Sequence, residues 1–118
     1  MAEQNVKELI ETFTKATKSH YLASLAGDWR TANQEAVLIR KAIKSLRGLG
    51  ENGREALLAQ TDSQDLSISS MAAVYSLKYD PEKSISVLTR IAKEPGLIGF
   101  EAEQALQRWK EGEWNLDD

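Results

Sequence analysis

Trp29, Ala32, Ala36, Ile39, Ile43 and Leu46 follow one another in alternating steps of three and four residues. A helix of about 3.6 residues per turn gathers such a set onto one side, whereas a strand scatters it over both faces. A seam this long has to be covered, so residues 29–46 predict a helix with other helices packed along it. Asn33 lies beside the seam and, if buried there, needs hydrogen-bond partners from a neighbouring turn. Just before the seam stand Gly27, suited to the left-handed end of a helix, and Asp28, suited to cap the next one. The two-residue link predicts an antiparallel hairpin with a first helix over residues 3–25. Val6, Leu9, Ile10, Phe13 and Ala16 supply the matching apolar face. His20, the single histidine, continues that stripe. It reads as a packed side chain, because a catalytic base also needs a nucleophile and an orienting group within reach.

The rest of the chain repeats this grammar. Gly48, Gly50 and Gly53 predict a loop between helices, with Asn52 capping a short helix over residues 53–60. The loop lacks the Lys-Ser/Thr of a phosphate-binding loop and the spacing of a dinucleotide fingerprint. Residues 61–65, Thr-Asp-Ser-Gln-Asp, favour caps and turns. A fourth helix follows over residues 66–79. It is rich in serine and alanine with apolar groups on more than one side, which predicts a central helix enclosed by neighbours. Asp80-Pro81 is a capping residue followed by proline at the first helical position, opening a fifth helix to residue 94 with Ile85, Leu88 and Ile91 inward. Pro95-Gly96 ends it. A sixth helix over residues 100–110 presents Phe100, Ala102, Leu106 and Trp109, with Gly99 allowing close approach at its start and Gly112 stopping it. Period-two alternation persists nowhere. The fold class is all-α, about six helices in antiparallel pairs, with 118 residues forming a single domain and a short acidic tail at 113–118.

Bulk properties narrow the function. There is no cysteine, which removes disulfides, thiol nucleophiles and zinc–thiolate sites, and suits a reducing, cytoplasmic location. The first residues lack a basic-then-apolar leader, and no apolar run approaches the ~18 residues of a membrane span. With 18 acidic and 15 basic side chains the protein is not a general nucleic-acid binder. The acidic excess gathers at the C-terminal end, in Glu101, Glu103, Glu111, Glu113, Asp117 and Asp118. Arg40, Lys41, Lys44 and Arg47 make a basic stripe late in the second helix, readable either as an anion-binding patch or as a solvated face complementing the helix dipole.

Two stretches resemble ARM/HEAT-type helical repeats. The first runs from Asp62 through Ile68 to Ala72-Ala73 and Leu77; the second is Asp80-Pro81-Glu82-Lys83 with Ile85 and Leu88. Ser69 stands where such a unit often has arginine, so the match is degenerate. Units of roughly 40–47 residues leave room for two or three. A broader resemblance rests on Gly27-Asp28-Trp29, Ala32-Asn33, Arg54-Glu55-Ala56-Leu57-Leu58, Ala72-Ala73, Asp80 to Lys83 and Val87-Leu88. It continues through Gly96 to Phe100, Ala102-Glu103, Leu106, Trp109-Lys110 and Gly112-Glu113-Trp114. These resemble a bacterial family of small ARM/HEAT-like helical domains of unknown function. The resemblance implies an α-α superhelix and assigns no catalytic residues.

No nucleophile motif or metal-ligand spacing is present, and Glu101 and Glu103, two apart on a helix, diverge. The expectation is a non-enzymatic domain without catalytic, metal or cofactor-binding residues, which binds another protein. The sharper form is an immunity-type inhibitor of a basic toxin, contacting it through Asp62, Asp65, Glu101, Trp114, Asp117 and Asp118. The alternative is a nucleic-acid-binding helical domain using Arg40, Lys41, Lys44 and Arg47. Self-association would be limited to a monomer or weak homodimer through Trp114 and Leu116.

Overall fold

The computed structural model describes residues 2–112, with side chains from residue 5 on. Among these residues the chain is all-helical, with six α-helices, one 3₁₀ turn and no strand. By contact density it divides into two compact units, Met1–Leu57 and Leu58–Asp118.

The first unit is a helical hairpin with the start of a third helix. α1 (Ala2–Ala26) and α2 (Trp29–Gly48) are joined as the sequence predicts. Gly27 takes a φ of 74°, and the amide of Asp28 donates back to the Ala23 carbonyl at 2.9 Å. The Asp28 carboxylate accepts from the Thr31 amide at 3.2 Å. Thr31 holds the Asp28 carboxyl below its ordinary value, first through its side chain and then through that amide. The core comprises Phe13, Ala16, Thr17 and Ala23 from α1 and Ala32, Ile39, Ala42, Ile43 and Leu46 from α2.

Trp29 departs from the predicted seam and is 64% exposed. Steps averaging 3.4 residues drift against a 3.6-residue turn, so Trp29 ends roughly 100° around the helix from Leu46. The buried stripe follows Ile39 and Ile43, leaving Trp29 at the rim. Asn33 is also exposed, so it needs no buried partner.

α3 (Glu51–Ala59) starts two residues earlier than the glycines suggest. Only Leu49 and Gly50 break the backbone, Gly50 with φ 77°. The Arg54 amide donates to the Gly50 carbonyl at 3.1 Å, so Asn52 lies inside the first turn and is not the cap. Gly53 serves packing: a Cβ there would run into the Leu46 carbonyl.

The second unit centres on α4 (Leu66–Ser76), the central helix the small residues predict. Ser67, Ile68, Ser69, Ser70, Ala72, Ala73 and Ser76 are all buried, which covers every side of a helix. The 3₁₀ turn Gln60–Asp62 is tied to it by side chains: the Ser69 hydroxyl donates to the Thr61 carbonyl at 2.6 Å, and the Thr61 hydroxyl to the Leu58 carbonyl at 2.7 Å. α5 (Pro81–Ile91) is capped by Asp80, whose carboxylate accepts from the Lys83 amide at 3.1 Å. α6 (Gly96–Glu111) closes the unit and ends at Gly112, φ 73°. Ala73, Leu77, Val87, Leu88, Ile91, Ala102 and Ala105 form the core, flanked by half-buried Ile98, Leu106 and Trp109.

Periodicity alone overextends α4 and α5 by three residues each. Their last turns loosen: Leu77 donates to the Val74 carbonyl at 3.4 Å, and Lys93 to that of Arg90 at 3.3 Å. Phe100 is a second correction, because it is 60% exposed. It stands two residues before buried Ala102 and so about 200° away around α6, on the side opposite Ala102 and Trp109 wherever the helix begins.

Candidate partner-binding surface

The described members of the predicted acidic contact set serve different ends. Asp62 ends the 3₁₀ turn and is exposed; its carboxylate accepts from Lys83 Nζ at 3.0 Å. Asp65 is half-buried and caps α4, accepting from the Ser67 amide at 2.9 Å, the Ser67 hydroxyl at 2.5 Å and the Ile68 amide at 3.3 Å. The Ser63 hydroxyl oxygen in turn accepts from the Asp65 amide at 3.1 Å. Asp62 and Asp65 therefore share one corner, but only Asp62 faces outward. Glu101 lies exposed on α6. Trp114, Asp117 and Asp118 lie outside the described residues.

These roles carry different energies. Asp65→Ala is expected to cost about 1–2 kcal/mol, since it strips a partly buried cap of two amide partners. Asp62→Asn breaks an exposed ion pair, with the two side chains 70% and 38% accessible, and is expected to change stability by less than about 0.5 kcal/mol. Urea unfolding of both variants checks the contrast; a larger loss for Asp62→Asn would show that the corner is held by the ion pair instead of the cap.

Asp62 and Lys83 also line an open groove of ≈ 460 Å³ with Asp80, Glu82, Ser86 and Arg90. Its charges alternate in sign, so it presents no strong field of either kind. A second shallow groove of ≈ 380 Å³, between Asn5, Glu8, Leu9 and Thr12 of α1 and Ser45 and Leu49 near the end of α2, brings one carboxylate and no cation together. Among the described residues no three His, Cys, Asp or Glu side chains are grouped to hold a metal ion.

The basic stripe is placed as predicted for three of its members. Arg40, Lys41 and Lys44 are exposed, whereas Arg47 is half-buried. The feature that sequence reasoning missed is apolar. Leu22 is 64% exposed, Leu25 55% and Trp29 64%, all at the closed end of the α1–α2 hairpin, where every residue from 25 to 30 is exposed. Val37 and Leu38 are exposed farther along α2. The signal that could have found them is helical phase: Leu22 falls about 180° from Phe13 and Val37 about 160° from Ile39, off both packed stripes.

No helix among the described residues is long and apolar enough to cross a membrane. No protein-family model, curated protein or solved structure matches the chain.

Proposed function

We propose that this chain is a non-catalytic protein-interaction module, with its helix pairs stacked in an ARM/HEAT-like manner. The observation that carries the reading is the exposed apolar end of the α1–α2 hairpin, Leu22, Leu25 and Trp29. Two leucines and a tryptophan at the same hairpin end are costly to leave in water, and tryptophan is among the residues most enriched in interface hot spots. The proposed partner covers this end. Trp29→Ala then weakens the complex by about 2 kcal/mol, roughly thirtyfold, while the fold loses little because the side chain is exposed.

The test is a tagged pull-down from the source organism, with the adjacent gene's product co-expressed and nucleic-acid absorbance recorded. A stoichiometric protein partner that survives moderate salt and is lost with Leu22→Ala/Trp29→Ala supports the reading. Nucleic acid alone, or a partner indifferent to that pair of substitutions, overturns it.

A sharper form has the partner as a basic toxin domain and this chain as its inhibitor. Charge supports it: residues 58–118 carry eleven acidic and six basic side chains, residues 1–57 seven and nine. An acidic half would speed capture of a basic partner. With Asp65 committed to α4, the contacts fall to Asp62, Glu101, Trp114, Asp117 and Asp118. Reversing Glu101, Asp117 and Asp118 to lysine should slow association with an isolated toxin and leave dissociation less affected; an unchanged association rate removes this form.

A further inference from the structure

We infer that the outward face of α2, formed by Arg30, Val37, Arg40, Lys41 and Lys44 with Trp29 at its head, docks an acidic amphipathic helix of a partner protein. The inference rests on the protein-binding reading and names a face and a partner chemistry for it. All six side chains are exposed. The one acid of α2, Glu35, is half-buried and by helical phase shares the packed side with Ala42 and Leu46, so the outward face holds cations only. The two other long helices mix the signs on their exposed residues. α1 interleaves Lys7, Glu8, Glu11, Lys15 and Lys18, and α6 interleaves Glu101, Glu103, Arg108, Lys110 and Glu111.

A solvated stripe complementing the helix dipole accounts for cations in the last turns only. Arg30 is the second residue of α2, at the end where the dipole disfavours positive charge, and no acid stands in that first turn. The face is thus basic from end to end. None of Arg30, Arg40, Lys41 and Lys44 has an ion-pair partner among the described residues.

Spacing selects the kind of anion. Arg30, Val37 and Lys44 are seven residues apart, with Lys41 four beyond Val37. Such a row recurs once every two turns and runs along the helix for about 21 Å, matching a second helix laid beside it. Val37, 42% exposed amid the cations, and Trp29 beyond them offer apolar anchorage. A phosphate backbone gains nothing from that valine, whereas the apolar ridge of an amphipathic helix does, with glutamates or aspartates on its flanks meeting the cations.

The experiment titrates the full chain into a labelled helical peptide whose leucines repeat every three and four residues between flanking glutamates. Fluorescence anisotropy is read at low and at moderate salt. Binding that weakens about tenfold or more with Lys41→Glu/Lys44→Glu, and returns when the peptide's glutamates are changed to lysine, is the expected result. No binding to the acidic peptide at low salt overturns the proposal, as does equal binding by the double variant. Duplex DNA and single-stranded RNA are run in parallel. If either binds through the same lysines and the peptide does not compete, the face serves nucleic acid and the proposal fails. The native pull-down separates this failure from that of the broader reading: a partner kept by Lys41→Glu/Lys44→Glu but lost with Leu22→Ala, which lies on α1 outside the proposed face, leaves protein binding standing and removes the α2 face.

Discussion

Gly53→Ala is expected to destabilise the protein by about 3 kcal/mol or more, the upper end of overpacking costs, although it replaces a poor helix former with the best one. Gly53 lies in the first turn of α3 and is buried. A Cβ there would meet the Leu46 carbonyl oxygen and its carbon, which are backbone and cannot rotate away. Gly99 in α6 faces the same obstacle from the Glu94 carbonyl, so Gly99→Ala should behave alike in the second unit. Gly48 is the control. It is helical and exposed at the end of α2, and a methyl group added there would meet nothing within 4 Å. Gly48→Ala should therefore raise stability by up to about 1 kcal/mol through helix propensity alone. Urea midpoints for the three variants decide the matter. If Gly53→Ala is as stable as Gly48→Ala, α2 and α3 do not approach as closely as described.

Leu88→Ala is expected to cost about 3–5 kcal/mol, whereas Phe100→Ala should cost less than about 0.5 kcal/mol despite removing a larger side chain. Leu88 is fully buried in the α4–α5–α6 core, among Ala73, Leu77 and Ile91, so truncation loses transfer free energy and leaves a cavity. The alanines of that core are too short to reach in and fill the space. Phe100 projects from the opposite side of α6 and gives up little on truncation. Thermal or urea unfolding of the pair tests the phase of α6 directly. Comparable losses for both would place Phe100 in the core, as its hydrophobicity alone suggests.

These glycines and aromatics show where reading the chain succeeds and where it stops. Four of the six helix starts were legible because their causes are local; α3 and α6, which lack a side-chain cap in their expected places, begin two and four residues earlier than expected. Asp28, Asp65 and Asp80 cap the helices that follow them, Pro81 sits in the first turn, and Gly27 and Gly112 take the left-handed conformation that a side chain resists. Helix ends were less legible, because whether a last turn stays helical after Ser76 or Ile91 depends on what packs against it. Of the candidate surface, the basic stripe on α2 was visible as composition. The exposure of Leu22, Leu25 and Trp29 does not follow from their hydrophobicity; it follows from helical phase, which sets Leu22 about 180° and Leu25 about 120° from Phe13, and Trp29 about 100° from Leu46.

The sequence by itself determined the helical class, most helix starts and the enclosed nature of α4, since capping chemistry, backbone sterics and the 3.6-residue period act within a few residues of one another. The close approach expected at Gly99 is present, but only the tertiary structure decided that Gly53 is a packing contact instead of a loop residue, that Asp65 turns inward while Asp62 meets Lys83, and that Trp29 and Phe100 face solvent. Each of those outcomes depends on which side of a helix is covered and on backbone approach between segments separated along the chain, which no local pattern encodes.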